Sequence, residues 1–210
     1  MKEMIKNLVF DLGNVLIEWN SEKILTYFEP EKERRQILRQ AIFDSGVWHQ
    51  TDKGELSLKE ACDKVLVQLD DSYHSAVQNI FYNWYEVVEV YSGLQEKIRL
   101  WANQGYRIYI LSTTCEIFYR IEKAGSLPIF PLLSGYILSS EVGVVKPKPE
   151  IYQKLLKKYG IDPTESVFID DIQVNLDTAA ELGFETILST SESENIRAME
   201  SLLATKGEFG

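Results

Sequence analysis

Cysteine and histidine are scarce in this chain of 210 residues, which contains two of each. Cys62 and Cys115 are far apart in the sequence and do not form the closely spaced pairs that bind zinc or iron. Two cysteines also cannot form a framework of disulfide bonds. We therefore expect a protein of a reducing compartment, with cytoplasmic localisation.

Long apolar runs are missing as well. No segment approaches the roughly 20 apolar residues that a membrane-spanning helix needs. The first residues include the charged Lys2, Glu3 and Lys6 and lead into a short apolar stretch that ends in an acid, which is unlike a signal peptide. The sequence thus predicts neither a membrane partner nor a secretory leader.

Positive charge is in deficit. There are 22 lysines and arginines against 32 aspartates and glutamates, so the formal net charge is -10. Nucleic acids and anionic membranes would be repelled, and we expect neither as a partner. An anionic ligand would need a local positive field from a lysine, a metal ion or helix N-termini. The composition is otherwise that of a globular protein, long enough for one buried core and a small second module.

Helix and strand patterns alternate from residue 92 to the end of the chain. Helical spacing of apolar residues is found at 93–105, 149–160, 172–183 and from Glu192 onward. Short strand-like runs lie between these helices, at 106–112, 166–171 and 184–188, and another such run, 7–10, lies near the start of the chain. Pro149 suits the first turn of its helix and Gly160 the end of it. This order predicts an α/β fold with a parallel sheet covered by helices on both faces.

The stretch 20–88 differs from the rest because only helical patterns are found in it. Ser21 is a candidate N-cap, and the sequence SLKE at 57–60 is a capping box. An aromatic-rich helix follows, whose aromatic residues are Tyr73, Phe81, Tyr82, Trp84 and Tyr85. We therefore expect a catalytic core formed by 1–19 and 89–210, with 20–88 inserted as a helical cap.

Polar side chains stand where the predicted strands end. Asp11 follows the first strand, Ser112–Thr113 the second and Asp170–Asp171 a later one, while Lys146 precedes a helix. Each alone has an ordinary explanation as a turn residue, a cap or a solvated lysine. In an open parallel sheet, however, ligands bind beyond the carboxyl ends of the strands. Together these residues indicate one site.

Four segments in this order resemble the motifs of the haloacid dehalogenase (HAD) superfamily: VFDLGNVL, YILST, KPKPEIY and VFIDDIQVN. The chain is most similar to the sugar-phosphatase-like branch near the N-terminal phosphatase domain of epoxide hydrolases. The resemblance implies a Rossmann-like, HAD-like fold, with a parallel five-stranded sheet and an inserted α-helical cap of the C1 type. It also implies that the first and fourth strands are adjacent, which brings Asp11 beside Asp170 and Asp171.

The resemblance implies hydrolysis of a small phosphorylated metabolite, such as a sugar phosphate, through an aspartyl-phosphate on Asp11. Lys146 would act with it, and Ser112 and Thr113 would bind the phosphoryl group. The cofactor would be Mg²⁺, which takes oxygen ligands. The implied ligands are Asp11, the carbonyl of Gly13, Asp171, and Asp170 directly or through water, with Asn175 orienting the loop.

Gly13 departs from the family pattern, since most of these phosphatases have a second aspartate there that protonates the leaving group. Loss of this aspartate is expected to lower the rate by about 10²–10⁴-fold. One alternative is a phosphatase that uses another acid or a substrate with a good leaving group. A second is a 2-haloacid dehalogenase, which needs neither a proton nor a metal, so the acids Asp170 and Asp171 argue against it. A third is a non-catalytic phosphate-binding or interaction protein.

The segment GVWHQTDKGELS at 46–57 contains Gly46 and Gly54 and presents Trp48, His49 and Glu55, and in the family such a segment faces the substrate. His49 is predicted to contact substrate hydroxyls or to replace the missing acid, since its ordinary pKa of about 6.5 suits both donation and acceptance of a proton. Trp48 could equally pack inside the cap. The oligomeric state and the physiological substrate stay open.

Overall fold

A five-stranded parallel sheet lies at the centre of the computed structural model, which describes residues 4–206; Lys2 and Glu3 lie outside this range. The strands are β1 (Asn7–Phe10), β2 (Arg107–Ser112), β3 (Leu133–Leu138), β4 (Ser166–Asp170) and β5 (Glu185–Leu188). Their order in the sheet is β3-β2-β1-β4-β5. The predicted α/β fold and the adjacency of the first and fourth strands are therefore confirmed.

Eleven α-helices surround this sheet within the described residues. They are α1 (Ser21–Phe28), α2 (Lys32–Arg39), α3 (Val47–Asp52), α4 (Leu58–Leu66), α5 (His74–Tyr82), α6 (Ser92–Asn103), α7 (Ile117–Lys123), α8 (Ser139–Val142), α9 (Pro149–Tyr159), α10 (Gln173–Glu181) and α11 (Glu192–Lys206). A π-helical turn, Gln40–Asp44, continues α2, and 3₁₀ turns occupy Asp71–Tyr73, Trp84–Glu86, Phe130–Leu132 and Pro163–Glu165. None of these helices is both long enough and apolar enough to cross a membrane.

The strand-like runs found in the sequence do not include β3. It pairs with β2 at the edge of the sheet, and Ser134 and Gly135 interrupt its apolar run. Its first four residues are exposed or half-buried, whereas all of β1 and β4 are buried. An edge strand of this kind lacks the continuous apolar signal of a strand that is covered on both faces.

The helix boundaries follow the local capping chemistry. Ser57 and Glu60 form the predicted capping box at the start of α4. Pro149 is in the first turn of α9, and Gly160 ends it in the left-handed conformation with φ 61°. The prediction that Ser21 caps the first helix is wrong, because Asn20 is the N-cap and its side chain accepts the N–H of Lys23 at 3.1 Å. Both residues have short polar side chains, so the sequence alone does not decide between them.

The two faces of the sheet are buried in two apolar layers. Leu8 and Phe10 of β1 belong to one layer and Val9 to the other, as the alternation of side chains along a strand requires. Each of these side chains is fully buried, which stabilises the fold by roughly 1.5–3 kcal/mol per residue. The larger layer also holds side chains of α1, α3, α4 and α5, so the helices between β1 and α6 share the apolar layer that covers one face of the sheet.

The chain enters and leaves this helical region through two neighbouring segments. Ile17 and Val90 form an antiparallel bridge, and the N–H of Tyr91 donates to the carbonyl of Leu16 at 3.0 Å. The helices from α1 to α5 therefore lie between two connections that run side by side, just beyond the carboxyl end of β1.

Candidate active site

Asp11 is placed by the end of β1 and by the turn that follows it. Its N–H donates to the carbonyl of Ile169 at 2.9 Å, which extends the pairing with β4 by one residue. Its Oδ1 accepts the N–H of Leu12 at 2.7 Å. The positive φ of the turn, 54°, is found at Asn14, and Gly13 has no positive φ.

Asp170 and Asp171 stand at the end of β4, next to Asp11. Oδ1 of Asp170 accepts the N–H of Ile172 at 2.8 Å and the side-chain N–H of Asn175 at 2.9 Å. Asp170 is fully buried, so these bonds fix the direction of its carboxylate. Oδ2 of Asp171 accepts the side-chain N–H of Asn14 at 2.9 Å, which joins the loops after β1 and β4.

Lys146 places its ammonium group between two of these acids. Its Nζ lies 2.8 Å from Oδ1 of Asp11 and 2.6 Å from Oδ2 of Asp170. Its backbone N–H donates to Oγ1 of Thr113 at 3.2 Å, which ties the lysine to the loop after β2. Ser112 is the last residue of β2, is buried and lines the same cavity as Lys146.

Burial and the oppositely charged neighbours shift the pKa values of Asp11 and Lys146 in opposite directions. Burial raises the pKa of Asp11 to about 6, although Lys146 acts to lower it. For Lys146, burial acts to lower the pKa, but Asp11 and Asp170 outweigh it and the net shift is upward. The lysine therefore stays charged at neutral pH, and most of Asp11 is ionised there. An ionised carboxylate beside a fixed cation can act as a nucleophile toward an anionic substrate.

The acids are also close enough to bind one metal ion. Carboxylate oxygens of Asp11, Asp170 and Asp171 all lie within 4.8 Å of one another. A set made only of hard oxygen donors fits Mg²⁺ rather than a thiolate- or imidazole-binding metal. Gly13 lines the cavity beside them. Both Lys146 and a bound cation would offset the negative charge that these three groups bring together.

The cavity above these groups has a volume of about 360 Å³, near the lower end of the ~300–1,000 Å³ typical of small-molecule sites. Three tryptophans also line it: Trp19, Trp48 and Trp84. The ring of Trp19 stacks on Trp48 with centroids 5.1 Å apart and meets Trp84 edge-on at 4.7 Å. Such a cavity admits a small metabolite and offers it mainly apolar walls. Trp48 both packs among neighbouring rings and faces the cavity.

Helix α3 turns a different residue to this cavity than the sequence suggested. His49 is exposed and is not among the residues that line the cavity. Asp52 does line it, one helical turn after Trp48 on the same face. Within the segment 46–57, Val47–Asp52 is a helix. The spacing of four between Trp48 and Asp52 is the signal that could have identified the acid.

Comparisons with known proteins agree with this arrangement. A family model described as haloacid dehalogenase-like hydrolase matches residues 5–183. A curated relative, D-ribitol-5-phosphate phosphatase from Bacteroides thetaiotaomicron, is 24% identical over 193 residues, which are 87% of this chain and 91% of the relative. Bifunctional epoxide hydrolase 2 from Mus musculus is 39% identical over 70 residues, 33% of this chain and 13% of that protein.

A similar fold has been solved crystallographically. A HAD family enzyme from Bacteroides thetaiotaomicron, in complex with magnesium and inorganic phosphate, superposes with a TM-score of 0.71 and 27% identity. The match covers 89% of this chain and 95% of that one. Since the family model spans most of the sequence and the strand-end residues meet in one cavity, the chain belongs to the haloacid dehalogenase-like hydrolase family.

Proposed function

We propose that this hydrolase is a Mg²⁺-dependent phosphatase that cleaves small phosphate monoesters through an aspartyl-phosphate on Asp11. The observation that carries the proposal is the placement of Lys146 between Asp11 and Asp170, with Asp171 beside them. A lysine in contact with the nucleophile can hold phosphoryl oxygens as they approach. The names of the relatives support it, since one hydrolyses D-ribitol 5-phosphate and a solved neighbour binds magnesium and phosphate.

The residues around Asp11 have separate roles in this proposal. Lys146, Ser112 and Thr113 bind the phosphoryl oxygens. The metal would be held by Asp11, Asp171 and the carbonyl of Gly13, and by Asp170 either directly or through water. Asn175 keeps Asp170 in position, because its side-chain N–H donates to Oδ1 of Asp170 at 2.9 Å. Bound Mg²⁺ would neutralise the charge of the phosphoryl group as it meets the carboxylate.

The reaction has two steps. A carboxylate oxygen of Asp11 attacks phosphorus, and the bond to the ester oxygen breaks, so that the organic part leaves with the electron pair and takes up a proton. Water then attacks phosphorus of the aspartyl-phosphate, which releases inorganic phosphate and restores Asp11. Lys146 stays charged throughout and holds the phosphoryl oxygens in both steps.

The organic part of the substrate is proposed to be a sugar or a similarly small metabolite. A cavity of about 360 Å³ limits its size. Trp19, Trp48 and Trp84 give the cavity an apolar lining against which the C–H groups of a sugar can pack. We further propose that 20–88 forms a cap over a core of 1–19 and 89–210, and that the protein acts in the cytoplasm.

Asp11→Asn tests the proposed function, because an amide cannot form the phosphoenzyme but has nearly the same shape. Hydrolysis of a panel of phosphate monoesters should require Mg²⁺, stop with chelator and be lost in this variant while its thermal melting is retained. Equal activity of the wild-type protein with and without chelator would contradict the metal assignment.

Two further outcomes separate the alternatives. Release of chloride from 2-chloropropionate without metal would favour a dehalogenase. If the wild-type protein turned over no ester but bound phosphate, measured by calorimetry, the chain would be a phosphate-binding protein instead.

A further inference from the structure

Asp52 is a carboxyl group in the cavity that none of the family motifs includes. It lies in the last turn of α3 and lines the same cavity as Asp11 and Lys146. Within residues 4–206, its side chain forms neither a salt bridge nor a hydrogen bond. Burial raises its pKa well above the ordinary value, with no contribution from a charged neighbour. A carboxyl group of this kind keeps its proton at a pH where an exposed aspartate has lost it.

The backbone of Asp52 is held against the core of the protein. Its carbonyl oxygen accepts a hydrogen bond from the hydroxyl of Ser139. The same hydroxyl accepts the N–H of Thr114 at 2.9 Å, in the loop that carries Ser112 and Thr113. Ser139 therefore links the end of α3 to the loop proposed to bind phosphate.

Gly54 brings the chain still closer to the core. A Cβ atom at this position would overlap the backbone carbonyl of Ser140, and Gly54 has a φ of 72°. The end of α3 thus approaches the backbone of α8 more closely than a side chain would allow. Asp52 is held over the cavity by backbone contacts, which is how a reacting group keeps its geometry.

The cations beside α3 do not pair with Asp52: Lys53 lies 3.8 Å from Glu55, and Lys64 donates to the side chain of Gln50 at 3.0 Å. Cys115 is the thiol that interacts with Asp52, and burial raises the pKa of Cys115 to about 12, so this thiol is neutral. Glu60 is bonded to Ser57 in the capping box, and Glu141 accepts the hydroxyl of Tyr119. Asp44 precedes α3 and is exposed. Asp11, Asp171 and the already paired Lys146 line the same cavity as Asp52.

Position 13, where related phosphatases have their acid, is crowded. A Cβ atom added to Gly13 would lie 3.3 Å from Cβ of Trp19. Asp52 lines the same cavity, on the face of α3 that also carries Trp48. Two carboxyl groups in one site with different surroundings, one beside a lysine and one in an apolar wall, are the usual arrangement for a nucleophile and an acid.

We propose that Asp52 is the general acid and base of this site and replaces the carboxyl group absent at position 13. The inference rests on the proposed phosphatase function. In the first step the ester oxygen leaves phosphorus with its electron pair and takes the proton of the Asp52 carboxyl group. In the second step the Asp52 carboxylate takes a proton from the attacking water, which restores the acid.

The test compares esters with good and poor leaving groups. For Asp52→Asn, kcat/KM with an alkyl phosphate should fall by ~10²-fold or more, because the alkoxide must leave unprotonated. With p-nitrophenyl phosphate, kcat/KM should change little, since nitrophenolate needs no proton. The second step should still be slow, so a burst of about one nitrophenol per enzyme should precede slow turnover.

Asp44→Asn is the matched control, because it makes the same substitution at an exposed residue just before α3. It should leave kcat/KM for both esters unchanged. Equal losses for both esters in Asp52→Asn, or no loss for either, would overturn the role of Asp52. A leaving-group-dependent loss in His49→Ala instead of Asp52→Asn would assign the acid to His49. A wild-type protein that hydrolyses neither ester would refute the phosphatase function itself, which is a distinguishable result.

Discussion

Nζ of Lys146 lies 2.8 Å from Oδ1 of Asp11, and both side chains are buried. A buried carboxylate without this cation would be strongly disfavoured, because little water is left to solvate it. Lys146 thus favours the ionised form of Asp11, as the proposed nucleophile requires, and would offer positive charge to a phosphoryl group. The negative net charge of the protein has no bearing on this, since the field is local.

Lys146→Met should therefore reduce both activity and stability. Breaking a buried ion pair from one side typically costs about 3–5 kcal/mol, because the other charge stays behind. The pKa of Asp11 should rise further, so the folded state holds a proton that the unfolded state releases. Stability should then fall more steeply with rising pH than in the wild-type protein.

Thermal denaturation across pH, with and without Mg²⁺, measures this effect, and added Mg²⁺ should recover part of the lost stability. Phosphatase activity should drop by at least ~10²-fold. Lys148→Met is the control, since Lys148 is exposed two residues away. A variant of Lys146 as stable as the control would show that Asp11 and Asp170 do not need this cation.

Much of the site could be predicted from the sequence because its residues stand at strand ends. Asp11, Ser112 and Asp170 each follow a buried apolar run, and parallel strands bring their carboxyl ends to one edge. The order of the motifs then identifies the family. Local sequence was sufficient here because the register of a buried sheet fixes where each strand ends.

Other parts could not be predicted because they depend on tertiary contacts. The pKa of Asp52 is set by burial, and its place in the cavity is set by the docking of α3 against α8. Histidine is the residue type best known for proton transfer near neutral pH, but the position of His49 on the helix turns it outward. Strand β3 was not found, since only its pairing with β2 defines it.

The raised pKa of Asp52 predicts a pH-dependent gain in stability on Asp52→Asn. The ordinary carboxyl pKa is 3.8 and the folded value is well above it. Between these values the folded protein keeps a proton that the unfolded chain has lost, so unfolding releases a proton and stability falls as pH rises. Asparagine has no such loss, and the advantage of the variant should therefore grow as the pH rises above about 4.

Melting temperatures of wild-type protein and Asp52→Asn in metal-free buffers, taken at several pH values, check this prediction. Asp44→Asn should show no comparable trend, because its carboxyl group is exposed. A difference between Asp52→Asn and the wild-type protein that did not vary with pH would mean that folding does not perturb this carboxyl group. A variant that is more stable but less active would fit a group kept for function.

A carboxyl group at position 13, where related phosphatases have their acid, should restore part of the activity that is lost in Asp52→Asn. Gly13→Asp needs no positive φ, but its Cβ would lie 3.3 Å from Cβ of Trp19, so a destabilisation of about 1–3 kcal/mol is expected. In the Asp52→Asn background it should raise kcat/KM for alkyl phosphates more than for aryl phosphates. If the folded double variant binds phosphate but shows no such recovery, a carboxyl group at position 13 cannot reach the leaving oxygen.

The contact between Gly54 and Ser140 provides a test that leaves every ionisable group in place. Gly54→Ala introduces a side chain at positive φ and forces it against the carbonyl of Ser140. Gly46→Ala, at the other end of α3, has a similar φ of 78° but nothing within 4 Å of its Cβ. The two variants share the backbone strain, of roughly 1–2 kcal/mol, and differ in the clash.

Gly54→Ala should therefore move the end of α3 and with it Asp52, whereas Gly46→Ala should only lower the melting temperature. If Asp52 donates the proton, kcat/KM of Gly54→Ala should fall for alkyl phosphates and much less for p-nitrophenyl phosphate, as in Asp52→Asn. Because a small displacement of a reacting group is costly, ~10-fold or more is expected for the alkyl ester. Equal kinetics in the two glycine variants would mean that the approach of α3 to α8 does not position the acid.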